Sequence, residues 1–163
     1  MKLKIKPLKE EDLPFLNEVR NEAREFLHDN REFTLEETQA WFKDMKHNRK
    51  DLMFFLVYLK DADTGLKQRV GYFRTRRLAH DTWEVGMDIH KDLRGKGYAR
   101  MAYNKMFKKF PEVRYWELSV LGNNTRAYTL YKSLGFETCA GVIEDVKRGR
   151  ELIPSIDMVK TIE

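Results

Sequence analysis

A short basic turn, Arg94-Gly95-Lys96-Gly97-Tyr98-Ala99, separates a stretch of alternating apolar residues from a run with helical spacing. A strand, a glycine turn and a helix in that order make a site for an anion. The first N–H groups of a helix have no partner inside it, and the helix dipole favours negative charge beyond its start. Glycine lets the main chain approach a phosphate without a Cβ in the way. Arg94 and Lys96 add positive charge. Two other phosphate loops fit less well. The G-x-x-x-x-G-K-[ST] pattern is absent. A dinucleotide fingerprint needs a third small residue where Arg100 stands, and no acidic residue follows in the right context.

A second segment, Asn124 to Phe136, follows about 30 residues later. Asn123 or Asn124 can cap a helix there. Ala127, Leu130, Tyr131 and Leu134 form its apolar stripe, and Gly135 ends it. On periodicity alone Tyr131 reads as a core tyrosine with a satisfied hydroxyl.

The elements that must hold these segments follow from hydrophobic spacing. Residues 3–8 read as a strand. Leu13, Leu16, Ala23 and Leu27 predict a helix over roughly 12–28. Thr34 and Glu37 make a capping-box pattern that opens a second helix, with Trp41, Phe42 and Met45 turned inward. Asp51 to Lys60 and about 68–77 read as a hairpin around Asp63-Thr64-Gly65. Thr82 to His90 is a strand with Trp83, Val85, Met87 and Ile89 on one face. Ala99, Ala102, Tyr103, Met106, Phe107 and Phe110 form a helical stripe that Pro111 stops. Val113 to Val120 is another strand, and strands over about 136–146 and 151–161 close the chain. This order argues for a mixed sheet packed between helices.

With both segments in view, the chain resembles the GNAT acyltransferase superfamily. Arg94 to Ala99 matches its [QR]-x-x-G-x-[GA] turn. Asn124 to Phe136 matches N-x-x-A-x-x-L-Y-x-x-x-G-F without a gap. The pattern lies nearest the ribosomal-protein and amino-sugar N-acetyltransferase branches. The resemblance implies one α/β (α+β) domain over residues 1–163. Its mixed, mostly antiparallel sheet would have about six to seven strands, helices on both faces and a splayed cofactor cleft. It implies acetyl-CoA as cosubstrate. The turn Arg94, Gly95, Lys96, Gly97, Tyr98 and Ala99 would hold its pyrophosphate. Backbone at Met87, Asp88 and Ile89 would pair with the pantetheine arm, and an N–H there would hold the thioester oxygen. Asn124 would touch the same arm, and Tyr131 would protonate the departing thiolate.

By the same resemblance the amine attacks the thioester directly, so Cys139 is read as packing. A base must take a proton from the amine. Freeing a lysine-like lone pair at pH 7 costs roughly 4 to 5 kcal/mol. Glu84 is the first candidate, because family members often place a glutamate on that strand. Asp88 and His90 share its face and stand behind it. Some relatives carry a glutamate where Ser119 stands, which counts against the branch that acetylates ribosomal-protein N-termini in that manner.

Composition limits the rest. At 163 residues, with 42% hydrophobic and 35% charged, the chain reads as a single globular domain. One cysteine leaves no internal disulfide and no cysteine-rich zinc site, so no metal is expected. The first residues lack the apolar core of a signal peptide, and no apolar run is long enough to cross a bilayer, so a cytoplasmic location is expected. The net charge of +5 suits a phosphate-bearing partner. Basic residues are scattered, so no direct nucleic-acid partner is expected. Arg74, Arg76 and Arg77 can meet an anionic substrate or guard a strand edge. The acceptor is read as a small amine or amino sugar, with a peptide as the alternative. A coenzyme A-binding module without turnover is the reading from another class. Monomer and homodimer both remain open.

Overall fold

In a computed structural model, residues 1–139 and 144–163 are described. The chain runs β1 (Lys2–Pro7), α1 (Leu13–Glu22), α2 (Leu35–Asn48), β2 (Leu52–Lys60), β3 (Lys67–Arg77) and β4 (Thr82–Ile89). It continues through α3 (Tyr98–Lys109), β5 (Tyr115–Leu121), α4 (Thr125–Ser133), β6 (Glu137–Thr138), β7 (Glu144–Arg148) and β8 (Glu151–Thr161). The strands form one sheet in the order β1-β2-β3-β4-β5-β8-β6, with β7 also on β8. The β4–β5 pair is parallel and the other pairs are antiparallel. Among the described residues the sheet has eight strands, and β6 and the start of β7 fall within the segment expected as one strand over 136–146. Residues 140–143 of that expectation lie outside the described residues.

Each face of the sheet carries its own core. Tyr103, Met106, Phe110, Trp116, Leu134 and Phe136 pack with Trp83, Val85 and Ile89 under α3 and α4. Leu13, Leu16, Val19, Phe42 and Met45 pack with Leu56 and Tyr72 under α1 and α2. This is the arrangement that period 3.6 in the helices and period 2 in the strands require.

Two local expectations change. The first helix stops at Glu22, and a single tight turn, Arg24–Phe26, replaces its predicted last turns. Asn21 explains the reversal: its side-chain amide donates to the Phe33 carbonyl at 2.9 Å and accepts from the Phe33 N–H at 3.0 Å. That pair folds the 23–33 loop back onto α1. Thr34 caps α2 as expected, accepting from the Glu37 N–H at 3.1 Å. Trp41, however, is not in the core. It is 37% exposed and meets Phe54 edge-on at 4.9 Å, in the wall of a cleft. No helix among the described residues is long and apolar enough to cross a membrane.

Candidate active site

β4 and β5 start as neighbours and then part. Their parallel register runs through Thr82–Tyr115, Trp83–Trp116 and Glu84–Glu117, and stops there. From Val85 to Ile89, β4 is paired on one side only, with β3. The His90 N–H donates to the Val70 carbonyl. Antiparallel alternation then turns the main chain of Asp88 and Gly86 toward β3, and that of Met87 and Ile89 toward the gap. Arg94 Nε donates to the Ile89 carbonyl at 3.1 Å, so the basic turn is tied to the end of that free edge.

The gap opens into a cleft of about 1620 Å³ between the helical layers. Of the residues expected at the site, Glu84, Met87, Asp88, Ile89, Arg94, Gly95, Gly97, Tyr98, Ala99, Asn124 and Tyr131 all line it. Lys96 is exposed and is not among the lining residues. Gly97 caps α3 in the left-handed conformation at φ +83°, which a side chain would strain. Asn124 caps α4, accepting from the Ala127 N–H at 3.3 Å. His90 lies elsewhere: its ring stacks on Phe15, and its Nε2 is 3.2 Å from Glu18. Ser119 lines the cleft but donates to Asp157 at 2.6 Å. Cys139 is exposed and is not among the lining residues.

Three carboxyl and phenol groups in the cleft differ in electrostatics. Burial pushes the Tyr131 phenol up to about 12, so it is protonated at neutral pH. Burial alone would raise Glu84, but hydrogen bonds from Arg76 and Arg74, each 3.0 Å, outweigh it and leave the carboxyl below its usual range. Asp88 goes the other way. Burial raises it, although the Tyr72 hydroxyl donates to it at 2.6 Å and Arg74, Arg94 and Arg20 oppose the rise.

Arg126 and Tyr103 are among the lining residues that were not singled out from sequence. Arg126 places its guanidinium against Gly95, where an added Cβ would lie 2.6 Å from it. Its signal was a positive charge in the first turn of a helix, where the dipole disfavours one unless an anion sits there. Tyr103 carries a buried hydroxyl without a hydrogen-bond partner among the described residues, and it too lines the cleft. Nothing in its spacing distinguished it from the rest of its stripe.

These features fit a long phosphorylated cosubstrate: a one-sided strand edge, a glycine turn beside Arg94 and Arg126, and the phenols of Tyr103 and Tyr131 in the same cleft. Comparison with known proteins agrees. The sequence profile of the acetyltransferase (GNAT) domain matches residues 2–137. Among curated proteins, no sequence matches the chain. Among solved structures, spermidine N-acetyltransferase from Vibrio cholerae, in complex with CoA and spermine, superposes with a TM-score of 0.81 at 22% identity, over 98% of this chain and 95% of that one. Ribosomal-protein-alanine N-acetyltransferase from Brucella melitensis gives 0.77 at 20%, over 98% and 99%. The yncA protein of Salmonella typhimurium, solved with its cofactor acetyl-CoA, gives 0.77 at 15%, over 100% and 95%. The shared fold and the matched domain lead to one conclusion: the chain belongs to the GNAT acetyltransferase family, acyl-CoA-dependent N-acetyltransferases that use acetyl-CoA as cosubstrate.

Proposed function

We propose that this chain acetylates the primary amine of a small molecule by direct attack, with Tyr131 as acid and Asp88 as base. The observation that carries the reading is the parting of β4 from β5 beyond Glu84 and Glu117, with Tyr131 lining the gap. Bound acetyl-CoA supplies the thioester. The turn from Arg94 to Ala99, with Arg126, holds its phosphates by helix N–H groups and guanidiniums. The Met87 and Ile89 main chain pairs with the extended arm. An N–H of that edge stabilises the carbonyl oxygen as negative charge develops.

The proton inventory then closes. The amine nitrogen bonds to the acetyl carbon and the carbon–sulfur bond breaks. Asp88 takes a proton from the amine, and Tyr131 gives one to the leaving sulfur. Solvent returns the Asp88 proton to the phenolate. Burial makes the phenol a weak acid, but it destabilises a thiolate beside it for the same reason, so the two proton affinities move together. Glu84, the first choice from sequence, is less suited to be the base, because two guanidiniums stabilise its ionised form. Its proposed role is to fix Arg74 and Arg76.

A small acceptor is favoured over a peptide by a braced loop in the cleft wall. Arg148 on β7 donates to the Leu27 and His28 carbonyls, and His28 Nε2 lies 2.7 Å from Ser155 Oγ on β8. The β7–β8 hairpin thus braces the loop that borders the acceptor side.

Coenzyme A release across a panel of amino sugars, amino acids, polyamines and short peptides tests this reading. Release with a small amine, lost in Tyr131→Phe, is the expected result. Turnover with peptides alone would refute the small-molecule reading. Tight acetyl-CoA binding by calorimetry without turnover of any acceptor would point to an acceptor outside the panel or to a binding module.

A further inference from the structure

The acceptor side of the cleft is built on guanidiniums. Arg74 and Arg76 project from β3 and share a single carboxylate, Glu84, at 3.0 Å each. Arg74 lies across β4 at Gly86, where an added Cβ would stand 3.1 Å from Nε and 3.4 Å from Cζ and a terminal nitrogen. Glycine is therefore the residue that lets the guanidinium lie flat on the strand. Arg76 keeps a buried Nε–H with no hydrogen-bond partner among the described residues. Arg20, from α1, stacks on the Phe33 ring at 3.7 Å. It has no carboxylate within 4.0 Å among the described residues.

The acids that line this part of the cleft do not balance these cations. Asp29 is held by Arg31 at 2.8 Å. Glu37 is exposed and faces the Thr34 hydroxyl, and Glu25 is exposed. Asp88 accepts from Tyr72 and is raised by burial. Three guanidiniums thus face two carboxylates: Glu84, which holds Arg74 and Arg76, and Asp88, on which Arg74 and Arg20 act at longer range.

We propose that the acceptor amine carries an anionic group, a carboxylate or a phosphate, that seats on Arg20, Arg74 and Arg76. The inference rests on the acetyl-transfer reading above and names its substrate class. Planar forks of N–H donors match a carboxylate or phosphate by paired hydrogen bonds. Distance fits as well. Gly86 and Asp88 are two strand residues apart, about 6.6 Å. An amine presented to Asp88 therefore has room for an anion a few bonds away, over Arg74. A polyamine would instead bring several positive charges to the same three guanidiniums.

The test is coenzyme A release with matched acceptors that differ by the anion: glycine against glycinamide, aminoethyl phosphate against ethanolamine, and glucosamine 6-phosphate against glucosamine. Spermidine serves as the polycation. The expected result is a kcat/KM at least about tenfold higher for the anionic member of a pair. The carboxylate and phosphate arms identify the source of the charge. Arg20→Gln, Arg74→Gln and Arg76→Gln should each erode that preference through KM, with acetyl-CoA affinity unchanged. Arg114→Gln, exposed and not lining the cleft, should leave it intact. Preference for spermidine or for the neutral members overturns the proposal, as does a preference that survives all three substitutions.

If acetyl-CoA binds but no acceptor turns over, calorimetry of inorganic phosphate and N-acetylglycine into the protein–coenzyme A complex decides. Binding lost in Arg74→Gln supports the proposal, and no binding of either probe overturns it. Failure to bind acetyl-CoA would sink the transfer reading itself, and this inference with it.

Discussion

Tyr131, Asp88 and Glu84 share one cleft, and each is tuned by what surrounds it. Tyr131→Phe removes one oxygen from a half-buried ring that packs against Tyr103 and Phe136, so the fold should persist. Its kcat should fall by about 10²-fold or more while acetyl-CoA affinity is kept, as steady-state kinetics and calorimetry would show. An unchanged kcat would remove Tyr131 from the proton inventory. Asp88 makes a pH prediction with a definite sign. Its folded value is raised by burial, so protonation abolishes the base as pH falls, and the acid limb of kcat/KM should lie above the ordinary aspartate range. A raised carboxyl also opposes folding when ionised: its contribution improves as pH falls through the folded value and is lost as pH rises. Asp88→Asn should therefore lower kcat/KM by about 10²-fold, flatten the acid limb and raise Tm at neutral pH. A variant that keeps the limb and loses Tm would mean that Asp88 is a structural partner of Tyr72 alone. Glu84 has the opposite sign. Its lowered carboxyl stabilises the fold at neutral pH, and that contribution is lost as pH falls through the folded value, below the usual glutamate range.

At the scale of elements, the basic turn and the free strand edge do separate jobs. An added Cβ at Gly97 meets nothing within 4 Å, so Gly97→Ala tests conformation without a clash. Holding alanine at φ +83° costs roughly 1–2 kcal/mol, which should lower Tm by about 2–8 °C and weaken acetyl-CoA binding. Thermal unfolding and calorimetry read both effects, and an unaffected affinity would argue that the turn does not touch the cosubstrate. The strand edge makes a prediction that is local to alternate residues. The main chain of Asp88 already faces β3, whereas that of Met87 and Ile89 faces the gap. Acetyl-CoA should slow hydrogen exchange at Met87 and Ile89 much more than at Asp88. Equal protection at all three would indicate closure of the whole sheet and not pairing along one edge.

At the scale of the molecule, the cleft is a place where two layers of helices and a split sheet fail to fill the space between them. A ligand that fills it adds stability by mass action. At a hundredfold excess over Kd the gain is about 2.7 kcal/mol, or a rise in Tm of roughly 5–10 °C. Thermal unfolding with and without acetyl-CoA checks this, and no shift at saturating concentration would contradict binding in the gap. The cores on the two faces set how stiff that frame is. Phe136 is 1% exposed, and Phe136→Ala should cost about 3–5 kcal/mol, because the cavity would open between α3, α4 and the sheet.

Spacing along the chain established which residues are local neighbours. The glycine turn before α3, the Thr34 and Asn124 caps and the α3 stripe depend on contacts within a few residues, so spacing revealed them. Period-2 alternation likewise put Trp83, Val85 and Ile89 in the core. Contacts made across long separations were not legible. Arg126 reaches Gly95 only because α4 packs beside α3, and Trp41 leaves the core because Phe54 meets it at the cleft wall. The early end of α1 was set by Asn21 holding Phe33 across the loop. The electrostatics were least legible of all. Glu84 and Asp88 are two carboxylates on one strand face, equal in the sequence, and only the fold gives one of them two arginines and the other a buried tyrosine. A pKa depends on burial and on charges brought from distant strands, so tertiary structure alone could separate a clamped carboxylate from an available one.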